Sequence, residues 1–244
     1  MGQLKLKDVS GSCIWEENAR FDKDIGWSKA VCRLLGSISV SGSERNAIDL
    51  KGWSPLMLAL RRADFTVMNL EKWLAHGQHV NYTNFYGYSP LWVAAAYKRT
   101  LPVVKELLFQ GAEVNQCNRD GVSPLMSAIR KKSAVSVVSL LLENHAAVNQ
   151  TSVCKETALS LACTLGLPSE MIRLLLSFGA DVDARDRFGW TPLMIALGMH
   201  ASFSVISELI RHGADLHVRD EEGMTPFSIA QLSQASEELL EVLA

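Results

Sequence analysis

Along most of the chain, one pattern of polar and apolar residues recurs about every 34 residues. One block opens with Ser89-Pro90, continues with a short apolar run, and closes with Leu107-Leu108 and Gly111. Serine accepts backbone hydrogen bonds at a helix N-cap, proline fits the first helical position, and a left-handed glycine ends a helix. The pattern therefore predicts two short helices in each block.

The start of the block recurs six times, at second residues that are 35, 34, 34, 34 and 34 positions apart. The six starts are Ser54-Pro55, Ser89-Pro90, Ser123-Pro124, Thr157-Ala158, Thr191-Pro192 and Thr225-Pro226. The end of the second helix recurs as Trp73-Leu74, Leu107-Leu108, Leu141-Leu142, Leu175-Leu176 and Leu209-Ile210. Two short helices cannot bury an apolar face by themselves, so the repeats predict a stack with one continuous core.

These motifs make residues 49–244 resemble the ankyrin repeat family, whose 33-residue unit has a turn, two helices and the sequence T-P-L-H-x-A. The units here are one or two residues longer, and the family's histidine is replaced by Met57, Trp92, Met126, Ser160, Met194 and Ser228. The resemblance implies an all-α solenoid of helix-turn-helix units with finger turns, starting near residues 49, 84, 118, 152, 186 and 220. Residues 1–48 are expected to form a degenerate N-terminal cap, and the last unit a C-terminal cap.

The fourth unit departs most from the pattern. Lys155 stands where the other units have a turn glycine, and Ala158 replaces the proline. A side chain in a left-handed turn costs on the order of 1 kcal/mol. The fourth unit is therefore expected to be the weakest of the stack.

Composition limits the class of protein. The hydrophobic content of 48% suits a continuous core, no apolar run reaches the roughly 18 residues of a membrane span, and the start lacks the pattern of a signal peptide. The five cysteines are odd in number and scattered, which predicts reduced thiols in a cytoplasmic protein. We expect a monomer that does not bind membranes.

Motifs for catalysis or metal binding are missing from the sequence. The spacing of Asp181, Asp183 and Asp186 faintly resembles a calcium loop, but the required glycine and glutamate are replaced by Asp186 and Pro192. Neither a nucleophile elbow nor a phosphate-binding glycine loop occurs. We therefore expect no enzyme activity, cofactor or metal. A site built across several repeats is the remaining enzymatic alternative.

In the ankyrin family, finger turns and inner helices form a concave binding face, which makes the residues at these positions candidates for partner binding. The aromatic candidates are Trp53, Phe85, Tyr86, Tyr88, Phe188 and Trp190 in the fingers and Trp92 on an inner helix. Such rings either pack against neighbouring fingers or serve as exposed anchors for a partner. The methionines Met57, Met126 and Met194 are expected to face the same groove, unless they fill the core.

Basic residues end the inner helices of three consecutive units. This basic column consists of Arg61, Arg62, Lys98, Arg99, Arg130, Lys131 and Lys132. Cations are favourable at helix C-termini, but seven in three units exceed that need. Residues 1–132 carry 18 basic against 12 acidic residues, or +6, whereas residues 133–244 carry 6 against 14, or −8.

The sequence predicts a protein-protein interaction module that acts as an adaptor, scaffold or inhibitor. The expected partner is a protein segment with acidic groups for the basic column and apolar side chains for the rings. A secreted bacterial or viral effector in a host cytoplasm is an alternative with the same mode of binding. Nucleic-acid binding through the basic column is a further alternative, but the acidic C-terminal half and the pI near 6.3 disfavour it.

Overall fold

The computed structural model describes residues 52–61, 65–75, 78–96 and 101–243, and the expected N-terminal cap lies outside them. Regular structure in these ranges is entirely helical and forms six pairs. The first or inner helices are α1 (Pro55–Ala59), α3 (Pro90–Ala96), α5 (Pro124–Arg130), α7 (Ala158–Thr164), α9 (Pro192–Gly198) and α11 (Pro226–Leu232). The second or outer helices are α2 (Val67–Ala75), α4 (Leu101–Phe109), α6 (Val135–Glu143), α8 (Ser169–Ser177), α10 (Phe203–Arg211) and α12 (Glu237–Leu243).

The inner helices begin at the predicted residues. The hydroxyl of Ser89 accepts a hydrogen bond from the backbone N–H of Trp92 at 3.1 Å, and the other five units make the equivalent bond. In the fourth unit, which lacks the proline, the Ser160 hydroxyl also accepts a hydrogen bond from the Thr157 N–H at 2.9 Å. This reciprocal pair is a capping box, and it stabilises the start of the one inner helix without proline.

The core follows the stack. Each inner helix packs against the inner helices of the next units, and outer helices pack on outer helices in the same way. Every residue of α3 is buried, because helices lie on either side of it. The first residue of four leucine pairs or their equivalents is 0% exposed, namely Leu107, Leu141, Leu175 and Leu209. The second residue is less buried in places, as Leu108 is only half-buried.

A turn that we call a finger precedes each inner helix from the second unit onward. In the second unit, the Asn84 carboxamide oxygen accepts from the N–H groups of Tyr86 and Tyr88 at 3.0 and 2.9 Å. The residues that fill the same role in later units are Asn118, Ser152, Asp186 and Asp220. Side chains of this kind mimic a backbone turn. Each finger is therefore fixed by its own first residue.

A second series of side chains joins the units at the outer loops. The carboxamide of Asn115 donates to the His145 carbonyl at 3.1 Å and accepts from the Ala147 N–H at 2.7 Å. Asn81 and Asn149 form the same pair of bonds to their following units. These bonds explain why the Val-Asn dipeptide recurs, since an asparagine satisfies one donor and one acceptor of the next loop.

The turn glycines are required for two reasons. Gly87 and Gly121 have φ of +81° and +74°, where side chains are strained. A Cβ atom at Gly87 would also lie 3.0 Å from the backbone nitrogen of Arg119 in the next finger. Lys155 adopts the same conformation, with φ of +57°. The sequence prediction of a left-handed lysine in the fourth finger is thus confirmed.

Replacing Lys155 with glycine is expected to stabilise the protein by roughly 0.5–1 kcal/mol, because it removes the strain of the left-handed side chain. Urea denaturation measures this change, and hydrogen exchange should show slower opening of residues 153–165. The matched control is Gly121→Lys, which introduces the same strain and places a Cβ atom 3.2 Å from the Ser152 backbone. If Lys155→Gly lowers stability, the fourth finger is not a weak point.

Candidate functional site

The finger aromatics of the first units pack against one another. The ring of Tyr88 lies 5.8 Å from Trp53, 6.0 Å from Tyr86 and 4.2 Å from Trp92, measured between ring centres. Trp53, Tyr88 and Trp92 are 2%, 4% and 3% exposed. The expectation that these three rings are exposed anchors is therefore wrong. They hold units one to three together, as the packing alternative predicts.

The inner-helix methionines are also core residues. Met57, Met126 and Met194 are all 0% exposed, so of the two alternatives for these residues the structure shows the one in which they fill the core. Each follows the Pro-Leu start of its helix, and this position lies between stacked inner helices. The inner helices thus present little side-chain surface apart from their C-terminal ends.

The remaining aromatic candidates differ in exposure. Phe85 is 56% exposed, whereas Tyr86, Phe188 and Trp190 are half-buried. The guanidinium of Arg187 lies over the Phe188 ring, 4.6 Å from its centre. Phe85 is therefore the one predicted aromatic among the described residues that offers most of its ring to a partner.

The basic column is only partly exposed. Arg62, Lys98 and Arg99 lie outside the described residues. The Arg61 guanidinium carbon lies 5.6 Å from the centre of the Trp53 ring, at a distance typical of a cation-π contact. Lys131 is half-buried, and the exposed Lys132 donates from Nζ to the Leu165 carbonyl at 3.1 Å. Part of the column therefore serves contacts within the solenoid.

Arg130, which was predicted to be an exposed residue of the basic column, is buried. Its side chain is 6% exposed, and Nη2 lies 2.8 Å from Glu156 Oε2, which belongs to the finger of the next unit. Burial lowers the pKa of Arg130 below its ordinary value, although the Glu156 carboxylate acts in the opposite direction. A buried arginine paired in this way is not available to a partner, so its prediction as a binding residue is wrong.

A second ionic cluster lies on the outer helices of the fourth and fifth units. The Glu208 carboxylate is 3.0 Å from Arg173 and 2.7 Å from Arg211, and 3.8 Å from the His212 ring. Burial acts to raise the pKa of Glu208, but the two guanidinium groups outweigh it and hold the pKa below its ordinary value. Each carboxylate oxygen thus faces a cation of the solenoid, which identifies the cluster as a contact between units.

The finger tips present a regular row of exposed side chains. The finger-tip row is defined by the residue that follows the first residue of each described finger, and it consists of Phe85, Arg119, Val153, Arg187 and Glu221. All five are exposed, and Val153 is 70% exposed. Backbone bonds link the fingers, because Arg119 N–H donates to Tyr86 O and Val153 N–H donates to Asp120 O, each at 2.9 Å. These bonds fix the spacing of the row from the second to the fourth finger.

Sequence reasoning did not select Arg119, Val153 or Arg187 as binding residues. The signal that could have found them is positional, since each follows the Asn, Ser or Asp that fixes its finger. Aromatic content directed the choice to Tyr88 and Trp53 instead. Those residues stand three or four positions further along the finger, where the chain turns into the core.

The part of the chain that the structure describes contains no group of three or more metal-ligating side chains. Cys117 and Cys163 are free thiols, and burial raises the pKa of Cys163 to about 12, so it remains protonated.

The helices in the described ranges are short. None of them combines the length and the apolar character that crossing a bilayer requires. The longest of them have nine residues, as in α4, whereas a spanning helix needs about 20.

The stacked helix pairs, capped starts and finger turns define a helical repeat protein. A family model described as ankyrin repeats, in three copies, matches residues 25–116, 93–186 and 166–244. The chain therefore belongs to the ankyrin repeat family. Ankyrin repeats are generally protein-protein interaction modules and typically lack enzymatic activity. A search of curated proteins found no match to the chain.

Proposed function

We propose that this protein binds a partner protein through the finger-tip row and thereby acts as a cytoplasmic adaptor, scaffold or inhibitor. The observation that carries the proposal is the exposure of the same finger position in five consecutive units, Phe85 to Glu221. Single exposed apolar residues are common on protein surfaces. A recurring exposed position on backbone-linked turns is different, because it offers a partner a continuous and preorganised surface.

The chemistry of the row suits protein recognition. Phe85 and Val153 provide apolar contact area, while Arg119 and Arg187 provide positive charge. Aromatic and arginine side chains are enriched at binding hot spots. Complementary charge adds specificity and speeds encounter. The exposed or half-buried residues of the basic column, Arg61, Lys131 and Lys132, extend the positive region beside the first three units.

Nucleic-acid binding receives less support from these positions. Arg130 is buried against Glu156, and Lys132 donates to a backbone carbonyl. Exposed acidic residues, Glu221 and Glu222, stand at the sixth finger. A nucleic-acid site needs a basic stripe, whereas the acidic side chains on this surface repel phosphate groups.

The test compares the intact chain with a finger-tip variant that carries Phe85→Ser, Arg119→Glu and Val153→Ser. The variant is expected to bind a captured partner at least about 10-fold more weakly, because hot-spot residues contribute more than about 1 kcal/mol each. Affinity purification followed by quantitative mass spectrometry identifies the partner, and titration calorimetry with the purified partner gives the dissociation constants.

The matched control carries equivalent changes on outer helices, Phe109→Ser, Lys105→Glu and Met68→Ser. These three side chains are exposed, with Phe109 at 82% and Met68 at 64%. The control variant is expected to bind the partner as the parent does. If the finger-tip variant also binds as the parent does, while circular dichroism shows both to be folded, the partner does not use the fingers.

A further inference from the structure

The solenoid has a second exposed edge at the ends of the inner helices that lie opposite the fingers. There each inner helix ends and a loop leads to the outer helix of the same unit. The Ser133 hydroxyl donates to the Ala95 carbonyl at 2.8 Å, and Lys132 Nζ donates to the Leu165 carbonyl at 3.1 Å, so loops of adjacent units lie side by side. We call this surface the loop edge, and in units two to five its described residues are 101–102, 131–136, 165–170 and 199–204.

Apolar side chains are exposed on the loop edge of the second and fifth units. Leu101, the first residue of α4, is 38% exposed, and Phe203, the first residue of α10, is 58% exposed. Met199, at the C-cap of α9, is 45% exposed. A single exposed apolar residue needs no explanation. These residues, however, belong to two units at equal distances from the boundary between units three and four, so the two halves of the edge have matching apolar surface.

The charge of the loop edge changes sign at that same boundary. Lys132 is exposed in unit three, whose residues 131–136 include no acidic side chain. Glu170 is exposed in unit four, whose residues 165–170 include no lysine or arginine. The whole chain has the same polarity, with 18 basic against 12 acidic residues up to residue 132 and 6 against 14 after it. The edge is therefore complementary in charge to a second copy of itself that runs in the opposite direction.

We infer that the loop edge joins two copies of this protein in an antiparallel dimer. A two-fold axis that lies in the plane of the contact and crosses the stack between units three and four places unit two against unit five of the second copy. It also places unit three against unit four. Outer helices then face outer helices, so Leu101 of one copy faces Phe203 of the other. Such a contact is isologous, because both copies use the same patch.

The charged residues of units three and four lie close together in this arrangement. Lys132 follows an inner helix and Glu170 lies at the start of an outer helix, so they are offset across the edge by about 8–10 Å, the spacing of packed helices. This offset is within the Debye length of about 10 Å at 0.1 M salt, and the long lysine side chain can shorten it. The ammonium group has three donors, of which one is used by the Leu165 carbonyl. The two-fold axis repeats the attraction, so each dimer contains it twice.

The size of the loop edge is sufficient for a dimer. Four units at about 10 Å per unit extend over about 40 Å, and an inner and an outer helix side by side are about 20 Å wide with their side chains. The resulting area of about 800 Å² equals the area that each partner contributes to an interface of standard size.

The dimer goes beyond the proposed function and replaces the expectation of a monomer that we drew from the sequence. Because the fingers lie at the other ends of the inner helices, dimerisation leaves the finger-tip row of both copies accessible. A dimer therefore presents two such rows, which increases the avidity for a partner that itself has two binding sites.

Sedimentation velocity of the intact protein over a series of micromolar concentrations measures the dimer. Phe203→Ser is expected to raise its dissociation constant at least about 10-fold, because an aromatic residue is lost from two symmetric contacts. Phe109→Ser is the matched control, since Phe109 is 82% exposed at the other end of α4 from Leu101, and this variant should dimerise as the parent does. A parent protein that stays monomeric at every concentration, or equal effects of the two substitutions, would overturn the inference.

A mixture of two charge variants tests the antiparallel arrangement. Lys132→Glu and Glu170→Lys are each expected to weaken self-association about 10-fold at low salt, because like charges then meet at both symmetric contacts. In an equimolar mixture opposite charges meet again at both contacts, so the two variants should form a heterodimer about as stable as the parent dimer. Copurification on a tag carried by one variant detects the heterodimer, and circular dichroism checks that both variants are folded. If the folded variants do not associate with each other more tightly than with themselves, the antiparallel dimer is wrong, because loss of the bond to Leu165 within one chain cannot be repaired by a second chain.

Discussion

Replacing Trp92 with alanine is expected to destabilise the protein by about 3–5 kcal/mol, the range for removing a large aromatic side chain from a core. Trp92 is 3% exposed. Its ring centre lies 4.2 Å from that of Tyr88, and its indole N–H donates to the Val122 carbonyl at 3.0 Å. The substitution therefore leaves a cavity at the contact between units two and three and removes one of the two hydrogen bonds of the Val122 carbonyl, which keeps its bond from the Asn118 N–H.

Urea denaturation followed by circular dichroism measures this loss, and Phe109→Ala provides the control. Phe109 is 82% exposed, so its replacement should change stability by less than about 0.5 kcal/mol. Trp92→Phe should fall between the two, because it keeps a ring but loses the indole donor. A folded Trp92→Ala protein that loses less than about 1 kcal/mol would show that this ring does not hold the units together.

Local signals in the sequence predicted the fold well. The start of each inner helix depends on a Ser or Thr cap and the residues immediately after it, so Ser89 and Thr191 could be assigned without tertiary information. The family match confirms the stacking that these local signals implied.

Exposure within a finger could not be predicted in this way. Phe85 and Tyr88 are three residues apart in the same turn, yet one is 56% and the other 4% exposed. The difference arises because Tyr88 turns toward Trp53 of the preceding unit and Trp92 of its own inner helix. Aromatic composition alone does not contain that information, since it depends on the positions of neighbouring units.

The burial of a charged residue in the basic column could not be predicted from the local sequence either. Arg130 ends an inner helix, where a cation is favourable, and its sequence neighbours give no sign of burial. Its carboxylate partner, Glu156, lies 26 residues further along the chain in the next finger. Stacking brings the two together, so the pairing becomes visible only when the register of adjacent units is known.

Replacing Glu156 with glutamine is expected to cost about 2–4 kcal/mol, because it leaves a buried guanidinium without its countercharge. The side chain of Arg130 is 6% exposed and that of Glu156 is 17% exposed. The partial exposure of Glu156 places the estimate below the upper end of the range for buried pairs. Glutamine retains the size of the side chain, so the loss reports charge rather than packing.

A double variant distinguishes the cost of leaving one buried charge unpaired from the contribution of the ion pair itself. Arg130→Met combined with Glu156→Leu removes both charges and keeps apolar volume, and such replacements of buried pairs are often neutral or stabilising. The double variant is therefore expected to be more stable than Glu156→Gln alone, although it loses the 2.8 Å bond.

Urea denaturation at 0.1 M and 1 M salt completes the test, since salt screens exposed pairs much more than buried ones. Glu143→Gln, a change at an exposed outer-helix position, should alter stability by less than about 0.5 kcal/mol. If Glu156→Gln behaved like Glu143→Gln at both salt concentrations, Arg130 would be solvated in solution, and the basic column would regain the arginine that its burial removes from it.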